Sequence, residues 1–187
     1  MALEYNIPTY LTLLRIALIP LLAGVYYLPW EHAHFVCTLI FMVAGFTDWL
    51  DGYLARKMGL ETSFGAFLDP VADKLMVVIV LVLIVGSEAN PYIALPSAII
   101  VGREITIASL REWMAELGQR AHVKVSQLGK WKTSFQMLAI TLLLYGEDLA
   151  GLPIKMMGYV LLYISAILTF WSMLNYLSAA LTIIQKN

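Results

Sequence analysis

A chain of 187 residues with 60% hydrophobic and only 13% charged residues departs from soluble domains, where charged residues make up about 25%, and its mean hydropathy of +0.78 puts most of it in lipid as one domain over 1–187. A net charge of −1 excludes the basic field that nucleic acid would require. The single cysteine, Cys37, excludes an internal disulfide and a cysteine metal site and reads as a small core hydrophobe.

Charged residues cut the sequence into uncharged runs at 16–30, 32–47, 75–87, 89–102, 133–146 and 156–185. Most are shorter than the roughly 20 residues of a spanning helix, so each helix extends into charged residues at one end. The first run is preceded only by Arg15 and is not followed by a small-x-small cleavage site. It reads as a retained helix over 7–29, not a signal peptide. The second helix, 33–58, takes in Asp48 to Arg56. The third, 69–86, opens with Asp69 to Lys74 and places Pro70 in its first turn. The fourth, 91–117, carries Arg103 to Glu116, and the fifth, 125–146, carries Lys130 and Lys132. The sixth covers 154–185. The stretch 113–126 is the one long-loop candidate.

The connections alternate in character. "LPWEHAH", "GSEANP" and "GEDLAG" are acidic, whereas "RKMGLETS" and "REWMAELGQRAHVKVSQLGKWK" are basic. Of twelve Lys and Arg, only Lys155 lies near the acidic set. The positive-inside rule then puts the basic set in the cytoplasm. The expectation is an all-α integral membrane protein of six transmembrane helices, with both termini cytoplasmic. Charges within helices at membrane depth face a bundle interior or a watery cavity, so a polar cavity opens to the cytoplasm. Tyr26, Tyr27 and Trp30 fit an interfacial aromatic belt. The nine methionines read as packing residues.

Four carboxylates stand out in "TDWLDGYLARKMGLETSFGAFLDPVADKL". Asp48 and Asp51 are spaced i, i+3, and Asp69 and Asp73 i, i+4, so each pair shares a helix face. Two antiparallel helices joined by "RKMGLETSFGAF" would bring the pairs together. Four carboxylates in one place repel unless a cation joins them, and oxygen-only ligands select Mg²⁺ or Mn²⁺. Two other readings exist: helix-end caps or ion pairs with Arg56 and Lys74, and a proton or cation pathway. His32 and His34 lie at the opposite end and His122 outside the site, so none is a ligand candidate.

The spacing D-x2-D-G-x2-A-R-x8-G-x3-D-x3-D is met by Asp48, Asp51, Gly52, Ala55, Arg56, Gly65, Asp69 and Asp73. It resembles the signature of the CDP-alcohol phosphatidyltransferase family, and the six-helix length agrees over the whole chain. "NIPTYLTLLRIALIP", "GREITIASLREWMAELG" and "WSMLNYLSAA" are similar to bacterial members whose acceptor is sn-glycerol 3-phosphate.

The resemblance implies transfer of a phosphatidyl group from CDP-diacylglycerol in the bacterial cytoplasmic (inner) membrane, by a homodimer holding about two Mg²⁺ or Mn²⁺ ions per site. Asp48, Asp51, Asp69 and Asp73 would hold the metals, with Asp73 also the general base. Gly52 and Gly65 would let the nucleotide approach the backbone. Arg56, Thr62, Pro8, Thr9, Thr12 and Asp48 would complete the CDP-diacylglycerol site. Arg103, Arg111, Lys130 and Lys132 are the candidates for the acceptor phosphate. Arg120, Lys124 and Lys186 are left to lipid headgroups. Within the same chemistry the alternative acceptor is inositol phosphate, and outside it the alternative is a cation or proton carrier.

Overall fold

The computed structural model describes residues 6–58, 62–116, 127–149 and 151–184. Among these it contains six helices: α1 (Ile7–Tyr26), α2 (Ala33–Met58), α3 (Ser63–Glu88), α4 (Pro91–Glu116), α5 (Gln127–Tyr145) and α6 (Ile154–Ile184). Four segments, Pro8–Tyr26, Ala33–Leu54, Pro91–Glu116 and Ile154–Ser178, are long and apolar enough to cross a membrane.

Local chemistry sets the two helix starts that matter most. Asn6 caps α1: its side-chain oxygen accepts from the Thr9 N–H at 3.1 Å and from the Thr9 hydroxyl at 2.8 Å. Pro8 then sits in the first turn, where its missing N–H costs nothing. Thr62 caps α3 by accepting from the Gly65 N–H at 3.0 Å. This cap starts α3 six residues before the position expected from Asp69. Pro70 consequently lies inside the helix, in its second turn, and not at its start. The sequence pattern around Asp69 did not reveal the Thr62 cap. At the far end, Ala89 adopts a left-handed conformation (φ 45°) and closes α3.

The helices do not pack as a simple chain of neighbours. α1 packs against both α2 and α3, which barely touch each other, while α5 joins α2 and α6, and α4 packs on α6. The expected direct pairing of α2 with α3 is therefore replaced by a three-helix arrangement with α1 in the middle. α5 and α6 come so close that a Cβ on Gly158 would lie 2.8 Å from the Leu143 side chain. Leu22, Phe41, Leu81, Ile100, Ile140 and Leu162 fill the interior. Cys37 is fully buried and directs its thiol at the Leu22 carbonyl. Large apolar side chains, among them Phe46, Trp49, Val82, Leu95, Ile167 and Trp171, face outward. For a soluble protein such a surface would aggregate, whereas in lipid it is the expected exterior.

The end carrying the acidic connections is held by polar contacts. Lys155 donates to Glu88 at 2.6 Å, and Tyr159 donates to the same carboxylate at 3.3 Å. Tyr27 and Trp30 are exposed there, as an aromatic belt requires. Tyr26 is not: it is buried, its hydroxyl bonded to Ser87 at 2.6 Å. His34 packs edge-on against Tyr26 and His32 edge-on against Trp30, so both histidines are aromatic partners at this end.

Candidate active site

The opposite halves of α1, α2 and α3 converge on Arg15. It is the one charged residue of α1 and is 1% exposed. Its Nη2 donates to Asp51, and its Nη1 donates to Asp73 and lies 3.0 Å from Asp48. One turn earlier on the same helix, the Thr12 hydroxyl reaches Asp69 at 2.5 Å. All four aspartates are thus gathered on α1 side chains, two from α2 and two from α3. The spacings i, i+3 and i, i+4 do place each pair on one face, as the sequence implied, but it is α1 that brings the faces together.

Burial explains why the guanidinium is shared. Asp51 has only 3% of its side chain exposed, while Asp48 and Asp73 keep 45%. A buried charge must be paired, and a planar guanidinium can serve several carboxylates with fixed donors. Asp48 and Asp73 also open onto a cavity of about 200 Å³, lined further by Arg15, Met76 and Gln136.

Four carboxylates against one guanidinium leave a strong surplus of negative charge if all ionise. Among the described residues, no three His, Cys, Asp or Glu side chains stand in a metal-holding arrangement, and the Arg15 guanidinium is paired with three of the four aspartates. The donor set is nevertheless all-oxygen and anionic, which fits a hard divalent cation.

Of the nucleotide candidates, Pro8 and Thr9 lie in the first turn of α1 and Thr12 in its second, Thr62 and Gly65 lie at the start of α3, and Gly52 and Arg56 belong to α2. Pro8, Thr9 and Thr12 are buried. Gly65 is buried too, and a Cβ there would lie 3.1 Å from the Thr62 hydroxyl and 3.6 Å from that of Thr9. Gly65 therefore faces two hydroxyls across a gap that a side chain would fill. Gly52 is half-buried beside Asp51 on α2. The side chain of Arg56 lies outside the described residues.

A second cavity, of about 240 Å³, is lined by Arg103 and Arg111 from α4, Lys132 from α5, and Asp73 and Lys74 from α3. Glu104 braces it from inside, accepting from Arg103 at 2.8 Å and from Lys132 at 3.1 Å. Lys132 is 4% exposed, whereas Arg111 is exposed and lies over the Tyr176 ring at 5.7 Å. The side chain of Lys130 and the residues Arg120, His122 and Lys124 lie outside the described set, as does most of the expected loop at 113–126.

Asp73 lines both cavities. Three participants had escaped notice in the sequence. Arg15 figured there only as a charge at one end of the first helix, although a lone charge in an apolar helix is itself a signal of an interior partner. Glu104 was one charge in a charged stretch. Gln136, which lines both cavities, carries no charge to draw attention.

The model of the CDP-alcohol phosphatidyltransferase family matches residues 5–171. Over 178 residues the chain is 53% identical to the CDP-diacylglycerol–glycerol-3-phosphate 3-phosphatidyltransferase of Haemophilus influenzae, covering 95% of each protein. It is 52% identical to the protein of that name from Yersinia enterocolitica and 50% identical to that from Salmonella choleraesuis, in each case over 95% of this chain and 96% of the relative.

Proposed function

The chain belongs to the CDP-alcohol phosphatidyltransferase family, and from that premise we infer that it transfers the phosphatidyl group of CDP-diacylglycerol to sn-glycerol 3-phosphate, forming phosphatidylglycerophosphate and CMP. The observation that carries the reading is the position of Asp73 on the common wall of two cavities, one anionic with Asp48 beside it and one cationic with Arg103, Arg111 and Lys132.

Asp48, Asp51, Asp69 and Asp73 would hold Mg²⁺ or Mn²⁺. Bound there, such ions supply charge neutralisation for a pyrophosphate and its leaving group. We assign Pro8, Thr9, Thr12, Gly52, Thr62 and Gly65, together with Arg56, to the binding of the cytidine nucleotide. Thr12 orients Asp69 through its hydroxyl, and Arg15 holds Asp51 and Asp73 in place. Arg103, Arg111 and Lys132, with Lys130, bind the phosphate of the acceptor, because a guanidinium matches phosphate geometry with two parallel donors.

Asp73 accepts the proton of the C1 hydroxyl. The resulting oxygen bonds to the lipid-side phosphorus as the phosphoanhydride bond to CMP breaks. An aspartate is a weak base, with a free pKa near 3.9, so it contributes mainly by position. General-base help of this kind typically gives about 10²–10⁴-fold.

The proposed setting is the bacterial cytoplasmic membrane. Six spans would leave both termini and the site on the cytoplasmic side, since eleven of twelve Lys and Arg lie at that end. The lipid tails then stay in the bilayer while the CDP head enters the cavity. The direct test is CMP release from CDP-diacylglycerol by the detergent-purified protein with a panel of acceptors. Release is expected with glycerol 3-phosphate and not with serine or inositol phosphate. A different acceptor, or no CMP with any, overturns the assignment.

A further inference from the structure

Gln136 lies on α5 one turn beyond Lys132 and is 5% exposed. It lines the cavity of Arg15 and Asp48 and also that of Arg103, Arg111 and Lys132. Its side-chain oxygen is buried without a hydrogen-bond partner among the described residues. A buried amide oxygen left unpaired destabilises the protein, whereas an apolar side chain of the same length would close the wall without that penalty. Whichever way the amide is turned, it offers a donor or an acceptor to whatever enters.

The spacing indicates what enters. Lys132 and Gln136 are i, i+4, on one face of α5 and about one 5.4 Å turn apart. Asp73 stands on the same shared wall as Gln136. A three-carbon acceptor with its phosphate at Lys132 and its reacting hydroxyl at Asp73 would lie in the cavity that Gln136 also lines.

We propose that Gln136 reads the middle hydroxyl of the acceptor: its side-chain amide hydrogen-bonds the C2 hydroxyl of glycerol 3-phosphate while the cations hold the phosphate and Asp73 faces the C1 hydroxyl. The proposal rests on the acceptor site described above and adds to it a selectivity device. The cations cannot tell one alkyl phosphate from another, whereas a site built to bond a hydroxyl discriminates against an analogue that lacks it.

The test compares glycerol 3-phosphate with 3-hydroxypropyl phosphate, which keeps the phosphate and the reacting hydroxyl and lacks the middle one. The wild-type protein should prefer glycerol 3-phosphate by roughly 10- to 100-fold in kcat/KM. Gln136→Met, which keeps length and removes the amide, should lose most of that preference through a fall with glycerol 3-phosphate alone. Its KM for CDP-diacylglycerol should stay at the wild-type value, and its unfolding temperature should not fall, since the unpaired buried amide is gone. Equal use of the two acceptors by the wild type overturns the proposal. So does a fall by one common factor for both acceptors in Gln136→Met, complete loss included. CMP release by the wild type with glycerol 3-phosphate is the separate control: its failure would strike the acceptor assignment and not Gln136.

Discussion

Arg15 on α1 and Asp51 on α2 form an ion pair in which neither side chain is more than 3% exposed. The same guanidinium reaches Asp73 on α3, so one side chain ties three helices at the point where the chemistry is proposed to occur.

Breaking a buried pair by removing one partner typically costs about 3–5 kcal/mol, because the remaining charge is stranded. Arg15→Met should therefore lower the unfolding temperature of the protein in chelator. Added Mg²⁺ should recover more stability in the variant than in the wild type, since a ligand of the native state stabilises by mass action. Thermal unfolding in detergent, with EDTA and with Mg²⁺, measures both. A variant as stable as wild type in EDTA would mean that Arg15 does not hold the carboxylates.

Turnover should vanish in excess chelator and return with Mg²⁺ or Mn²⁺, because one guanidinium cannot neutralise four carboxylates and a pyrophosphate. CMP release at full rate in EDTA would contradict the metal assignment.

Asp73→Asn should abolish CMP release while largely keeping CDP-diacylglycerol binding. The amide still accepts from Arg15 but is no longer a base. Calorimetric titration with the lipid nucleotide in detergent separates the two effects. Loss of nucleotide binding together with turnover would make Asp73 primarily a holder of the nucleotide site.

Arg111→Ala should raise the KM for glycerol 3-phosphate roughly 10- to 100-fold, the factor set by one lost charge-assisted hydrogen bond, and leave that for CDP-diacylglycerol nearly unchanged. Lys57, exposed and lying over the Tyr53 ring, supplies the control: Lys57→Ala should change neither. Equal effects of the two substitutions would point to a diffuse basic field.

A cysteine placed at Glu31 should react with an impermeant thiol reagent from outside the cell, and one at Glu61 should not. Cys37 is buried and should stay silent. The reverse pattern would overturn the orientation.

Much of this was legible in the sequence because charge is rare in it. The gaps between charged residues mark six helices, with both ends of α2 and the starts of α1, α4 and α6 as observed, and with the start of α3 six residues late. The aspartate spacings gave the two faces. What escaped was whatever depends on contacts distant in sequence. Arg15 lies 58 residues from Asp73, and nothing local marks that pairing. Pro70 was misplaced because the rule for first-turn prolines is local, while the true start is set by the Thr62 cap. Tyr26 looks like its exposed neighbour Tyr27 until Ser87 on α3 is brought against it. The pairing of Lys132 with Glu104 on another helix, 28 residues away, is likewise invisible in the sequence.

The central place of α1 bears on how the molecule is made. Synthesis runs from the N-terminus at about 5–20 residues per second, so Arg15 exists for seconds before Asp51, its partner 36 residues later. An arginine at the centre of a lone spanning helix is disfavoured by about 2.5–3.5 kcal/mol on insertion scales. The first helix is thus poorly suited to enter lipid alone and better suited to enter with the second, as a hairpin in which Arg15 already meets Asp48 and Asp51. The aspartates proposed to hold the metals would serve first, at the moment of birth, as the counter-charge that lets the first helix in.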